Sequence, residues 1–239
     1  MIMESLRVRW ALFAVALLGI GGLFPQRASA EECTDLPKSS LKVYLLAVDQ
    51  VTDHAATRAE IESMVTALAG TPSTHPLMAI IDAIDTRVAV EHRIVERPQG
   101  YCDAPESVLV GIGVTRRKVF ILQEAAVDAC VKAALLEHEA EHDRALGSAI
   151  HDFIQQHRPK FVQRLEELKR QSVRHHQTAA RAFEAGLQMF LATMMKELKE
   201  EKIAEAKQSV DSVSRLTALS SACDGRLGEL EKIARGESL

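Results

Sequence analysis

The sequence predicts an α+β protein. A small N-terminal antiparallel or mixed sheet packs on a helix carrying the motif His-Glu-Ala-Glu-His, and a long, mainly α-helical C-terminal region follows. Three observations point there. Short aliphatic and β-branched runs are confined to residues 41–122 of the 239, and such runs separated by turn residues read as strands. From about Glu124 onward the strand signal vanishes and the chain can be helical with few interruptions. Opposite charges three and four residues apart, as in "KELKEEKIAEAK" (196–207), mark a solvated helix face there.

The first thirty residues place the protein. Arg7 and Arg9 precede an apolar run from Trp10 to Leu23, and a small-residue stretch ends at Ala30. That order is a secretory signal peptide, and the run is short for a membrane span of roughly 20 residues. Cleavage near Ala30 predicts a periplasmic or secreted protein with no stable membrane span. The expected parts are a signal peptide (1–30), an α+β domain with the motif helix (31–158) and a helical region (159–239). Losing Arg7, Arg9, Arg27 and Glu4 turns 29 basic and 33 acidic residues into 26 and 32, a net charge of about −6. No basic stripe with interleaved aromatics is present, which argues against a nucleic-acid partner. Four cysteines lie beyond the cleavage site, an even number that reads as two disulfides in an exported chain. Of the three pairings, Cys33–Cys102 with Cys130–Cys223 is favoured, since the second would staple the far end of the chain to the motif helix.

The elements follow in order. "LKVYLLAVDQV" (41–51) is a strand candidate. "DHAATRAEIESMVTALAG" (53–70) reads as a helix, with Asp53 as cap, Ile61, Met64, Val65 and Leu68 at helical spacing, and Gly70 ending the run. "TPSTHPLMAIIDAID" is ambiguous between strand and short helix. "TRVAVEHRIVE" (86–96) is strand-like, and "RPQGYCDAPES" is a loop with two prolines and a glycine. "SVLVGIGV" and "KVFIL", separated by Thr115, Arg116 and Arg117, form a hairpin or one bent strand. Gly111 and Gly113 alternate with Val110, Ile112 and Val114, so one face of that strand is closely approached or poorly filled. Pro159 is the clearest interruption in the helical half. "AFEAGLQMFLATMM" (182–195) is apolar over much of its circumference and reads as core or a seam with a partner helix, which makes self-association through the C-terminal helices an expectation.

Two histidines four apart on a helix project from one face, and both imidazoles can reach a single metal ion. Here they are His138 and His142, and they fall on the apolar stripe of Val131, Ala134, Leu135, Ala145, Leu146, Ala149 and Phe153. Inward histidines need partners, and a shared metal satisfies both. Glu139 is turned about 100° from His138, so it can stand beside a metal-bound water without occupying a ligand position. Zinc lowers the pKa of such a water, and a carboxylate beside it can take the proton. Glu137 and Glu141 read as solvated or supporting residues, while Asp143 could orient a ligand histidine.

"LLEHEAEHD" after a strand unit resembles the zincin superfamily of metallopeptidases. The wider arrangement resembles a bacterial secreted family of unknown function usually described as zinc-dependent proteases: a signal peptide, a "GYC" loop, strands, a helix with a cysteine before the motif, and a late "ACDG". The resemblance spans roughly residues 41 to 230. It implies zinc as cofactor, His138 and His142 as ligands and Glu139 as general base, and it implies no known substrate. A peptide or protein is the substrate class expected of a zinc hydrolase of this kind. Ala145 and Ser148 stand where the metzincin extension needs Gly and His, so that subclass is excluded, and no gluzincin-type sequence follows. The third ligand is therefore open. If Pro159 starts a helix that folds back antiparallel, the chain opposite His142 falls at "RHHQ", so His175 and His176 are candidates. Glu184 and Asp211 are further options. The competing expectation is a non-catalytic envelope protein whose long helices bind a partner and whose motif is a scaffold. A metal-buffering role is weaker, because the nine histidines are scattered.

Overall fold

The computed structural model describes residues 33–47, 50–67, 76–98 and 100–237. The expected signal peptide lies outside them, as do Leu68 and Gly70. In chain order the elements are β1 (Ser40–Leu45), β2 (Gln50–Ala56), α1 (Arg58–Ala67), β3 (Met78–Glu91), β4 (Ile94–Arg97), β5 (Gly100–Asp103), β6 (Ser107–Leu122), α2 (Gln123–Ala126), α3 (Ala129–Lys169), β7 (Ser172–Val173), α4 (His176–Glu197), a π-helical stretch (Leu198–Ile203), α5 (Ala204–Val210), α6 (Val213–Ser220) and α7 (Arg226–Arg235). The fold is α+β, with a mixed sheet at the N-terminal end and a long helical C-terminal region.

The spine of the sheet is β6. It pairs antiparallel with β3 along its whole length, and in parallel with β1 on its first half and β2 on its second. The run read as two strands or one bent strand is one strand with a bulge. Val114 faces Ile84 and Arg116 faces Ala83, which leaves Thr115 as the extra residue. A bulge changes which residues face the core. Before it Val108, Val110, Ile112 and Val114 are buried, and after it Arg117, Val119 and Ile121 are. The two glycines of β6 lie under Leu46, and a Cβ on Gly113 would stand 2.7 Å from the Leu46 carbonyl oxygen. The close approach expected from their alternation is borne out.

The helix expected from Asp53 starts later. Residues 50–56 are strand β2, and α1 begins after Thr57, whose hydroxyl accepts from Glu60 N while Glu60 accepts from Thr57 N at 2.7 Å. That reciprocal pair is a capping box, a stronger start signal than a lone aspartate.

Helix α3 runs 41 residues from its N-cap Asp128, which accepts from Cys130 N and Val131 N. It passes through Pro159 without breaking, so the interruption expected there is absent and residues 158 and 159 lie within one helix. Proline removes one bond, to the carbonyl four residues back, and here Gln155 and Pro159 are both exposed, so water can satisfy that carbonyl. The chain turns only beyond Lys169, and α4 returns along α3.

Two apolar clusters flank a polar belt. The larger holds Val108 to Val114 of β6, Leu146 to Leu168 of α3, and Phe183, Leu187, Leu191, Met194, Leu198 and Ile203. The smaller joins Leu77, Met78, Val119 and Ile121 to Val131 and Leu135 of α3 and Leu227 of α7. The buried stripe of the returning helix steps by three or four residues up to Leu198, then by five to Ile203. The π-helical stretch absorbs that extra residue, since its hydrogen bonds span five residues.

Both expected disulfides are present, Cys33–Cys102 and Cys130–Cys223. They suit an oxidising compartment. Among the described residues no helix is long and apolar enough to cross a membrane.

A second, three-stranded sheet, β4–β5–β7, is tied to α4 by His92, whose Nδ1 lies 2.5 Å from Asp103 Oδ2 and whose Nε2 lies 3.0 Å from Glu184 Oε1. Only the doubly protonated ring donates to both carboxylates. Burial pulls the His92 pKa down, but hydrogen bonds to Glu184 and Asp103 and their charges raise it above its ordinary value of 6.5. A folded-state pKa above the unfolded one gives stability that is full below about pH 6.5 and is lost as pH rises through the folded value. We expect His92→Gln to cost about 1–2 kcal/mol at about pH 6 in urea unfolding, with the difference shrinking toward about pH 9. A pH-independent difference would remove the charged pairing from this account.

Candidate metal centre

The site sits in the polar belt. On α3 the apolar stripe runs Val131, Leu135, then His138 and His142, then Leu146, so the two histidines replace core residues between the clusters. They are 5% and 7% exposed, as their place on the stripe implied. Asp211, the residue that ends α5, meets them. His142 Nε2 lies 3.0 Å and His138 Nε2 lies 3.3 Å from Asp211 Oδ1, and the two Nε2 atoms are 3.3 Å apart. Burial alone would push the Asp211 carboxyl up, but hydrogen bonds from His138 and His142, with their charge, hold it well below the usual carboxylate range.

These distances bear on whether zinc fits. Nitrogen and oxygen ligands about 2.0–2.1 Å from one zinc at tetrahedral angles stand about 3.3 Å from one another. The triangle of 3.0, 3.3 and 3.3 Å is that size. Among the described residues this is the one group of three His, Cys, Asp or Glu side chains whose ligand atoms all lie within 4.8 Å.

The structure does not bring the third-ligand candidates His175 and His176 to the pair. Because α3 continues to Lys169, His142 lies 27 residues before the helix end, about 40 Å along the axis at 1.5 Å per residue. His175 and His176 stand beyond that end, both exposed, with His176 edge-on to Tyr101. Glu184 is engaged by His92. Asp211, the remaining option, is the one brought to the pair.

Glu139 is not among the converging ligand atoms. Its Oε1 accepts from Arg117 Nη1 at 3.0 Å. Burial raises the Glu139 pKa, opposed by Arg117 and reinforced by Asp143 and Asp82. Asp143 does not orient a histidine; it lies 2.7 Å from the same Arg117 Nη1. Glu137 is exposed, and Glu141 pairs with Arg215 of α6 at 3.3 Å. Arg117 is 1% exposed, and its Nε donates to Asp82 Oδ1 at 2.7 Å. Burial pulls the Arg117 pKa down, but Asp82, Asp143 and Glu139 more than restore it, so the guanidinium stays charged.

Arg117 escaped the sequence reading, although a signal existed. Counting by twos back from Ile121 and Val119 reaches Arg117, whereas counting forward from Ile112 and Val114 reaches Arg116. That conflict of parity is the trace of the bulge.

Two hollows lie along α3 beyond His142, and none of His138, Glu139, His142 and Asp211 lines either. One of about 300 Å³ lies between the end of β1 and α3, lined by Leu45, Leu46, Val114, Asp143 and Gly147 among others. The other, about 450 Å³, runs between α3 and α5 past Ala145, Ala149, Asp152, Ala206 and Ser209. No model of a known protein family matches this chain, and no curated protein or solved structure matches it.

Proposed function

We propose that the protein is a zinc-dependent hydrolase of the periplasm or extracellular space, and that it acts on peptides. The observation that carries this reading is the convergence of three protein ligand atoms, from His138, His142 and Asp211, at the spacing of one coordination shell. Structural zinc sites close with four protein ligands, whereas catalytic ones keep three and an open position. Zinc, when bound, supplies a Lewis acid and an acidified water. The chain supplies the rest. His138 and His142 offer neutral nitrogen donors, Asp211 an anionic oxygen, and Glu139, one residue past His138, the base that takes a proton. The hollow beside β1 supports a peptide substrate. That strand has β6 on one side and no strand on its other side among the described residues, so an extended peptide can pair with it.

A second reading is a non-catalytic helix clasp, in which both Nε2–H groups donate to Asp211 Oδ1. The burial of both histidines and the engagement of Glu139 by Arg117 favour it. Zinc content separates the two. We expect close to one zinc per chain purified without chelator, lost in a His138→Ala/His142→Ala variant that still folds; metal-free protein that cannot be reloaded leaves the clasp. Glu139→Gln is expected to keep zinc and to lower peptide hydrolysis by about 10²–10⁴-fold. Zinc loss in that variant would overturn the role given to Glu139.

A further inference from the structure

We propose that Arg117 is a positioning residue that holds the three ligand side chains together before a cation arrives, an inference that rests on reading His138, His142 and Asp211 as a metal centre. Its contacts follow the ligands residue by residue. Nη1 lies 3.0 Å from Glu139 and 2.7 Å from Asp143, each the residue directly after a ligand histidine. Nε donates to Asp82 Oδ1 of β3 at 2.7 Å, and the other oxygen of Asp82 lies 3.8 Å from Lys207 Nζ. Lys207 is on α5, one helical turn before Asp211. One buried cation on β6 is thus linked directly to the residues that follow both histidines on α3 and, through Asp82 of β3, to a lysine of α5 one turn before Asp211.

Stability alone does not explain such a residue. Burying a charge costs several kcal/mol, and an apolar side chain of similar volume is often as stable. Here the guanidinium is also incompletely satisfied, because Nη2 is buried without a hydrogen-bond partner. What the arrangement does secure is placement. It fixes the turn of α3 that carries both histidines and holds the Glu139 carboxylate at Arg117, outside the ligand set. It also sets the charge. With both histidines neutral, as metal ligands are, two cations, Arg117 and Lys207, against four carboxylates, Asp82, Glu139, Asp143 and Asp211, leave a formal −2, which a divalent cation neutralises.

The test uses the full chain with its disulfides intact and four variants. Arg117→Lys keeps the charge but cannot bridge three carboxylates. Asp143→Asn and Lys207→Met cut the links at side chains that are 52% and 30% exposed, so the fold is not at risk. Glu167→Gln is the control, since it breaks an ion pair with Arg164 on α3 outside the network and 25 residues beyond His142. Zn²⁺ affinity is read by competition with a chelator, the Co²⁺ visible spectrum reports ligand geometry, and hydrogen exchange is followed in the metal-free chain. We expect Arg117→Lys to weaken Zn²⁺ about 10–100-fold and to alter the Co²⁺ spectrum, as loss of a supporting partner does. Asp143→Asn and Lys207→Met should weaken it by smaller factors, and Glu167→Gln should not. Amides of Ala204–Val210 should exchange faster in metal-free Lys207→Met and Arg117→Lys. Affinities within about twofold of wild type in all three network variants would overturn the proposal. If the wild-type chain takes no zinc, the metal reading fails on its own, and the exchange data still judge the clamp: unchanged exchange at 204–210 ends it, and faster exchange there upholds it.

Discussion

With zinc held as proposed, Asp211→Ala is expected to lower its affinity by about 10²-fold or more while leaving the chain folded. Structural zinc in small domains binds with about 10–16 kcal/mol over four ligands, so one ligand is worth roughly 3 kcal/mol, about 10² in affinity. The loss should be larger than for other carboxylates nearby, because among the described residues Asp211 brings the one anionic oxygen within 3.3 Å of both histidine nitrogens. Its removal also takes away the carboxylate oxygen that the two buried Nε2 atoms share. Asp211→Asn separates the two effects. It keeps an oxygen for the histidines to donate to but removes the charge, so folding should be spared and zinc binding still weakened. Titration with a competing chelator, beside urea unfolding, reads both. Wild-type zinc affinity in Asp211→Ala would remove Asp211 from the ligand set and return the third position to another group.

The site's two halves differed in how far they could be read in advance. His138 and His142 were legible because a local pattern, four residues on a helix, already places them together, and the apolar stripe says which way they point. Asp211 comes from 69 residues further on, and bringing it to the pair depends on where α3 ends and how the returning helix is phased. Each hinges on a choice that tertiary packing makes. Pro159 is a helix breaker by local rule, yet its exposed position lets the helix pass, and that moves the turn and with it His175 and His176 out of reach. The five-residue step from Leu198 to Ile203 would have moved the phase by one residue for anyone counting strictly by α-helical periodicity. The fold class and both disulfide pairings could be anticipated, the one from where the strand signal stops, the other from the need to anchor the end of the chain. Arg117 and the capping box at Thr57 were written in the sequence as well. Their signals compete with stronger ones, a parity read from the wrong end of β6 and an aspartate four residues too early.

Removing the Cys130–Cys223 bond is expected to cost the protein about 2–5 kcal/mol, the largest stability effect of any change away from the core. The two cysteines are 93 residues apart, so the bond restrains a long loop of the unfolded chain, and loop-closure entropy for about 100 residues approaches 5 kcal/mol. In the folded chain the bond sits where α7 is fastened to the start of α3. Arg226 donates to Asp128 Oδ2 at 2.8 Å, and the other oxygen of Asp128 caps α3. Leu227, fully buried, plugs the smaller apolar cluster beside Val131 and Leu135. The bond therefore holds a plug in a core that begins one turn before His138. A Cys130→Ser/Cys223→Ser variant should melt roughly 5–20 °C lower, at about 2–4 °C per kcal/mol for a chain of this size. Because His138, His142 and Asp211 all precede Cys223 and are gathered by α3 and α5, the folded variant should still take one zinc at low temperature. Hydrogen exchange should then be fastest in α7 and in the first turns of α3. An unfolding free energy within about 1 kcal/mol of wild type would instead mean that the Arg226–Asp128 pair and Leu227 hold α7 without the bond.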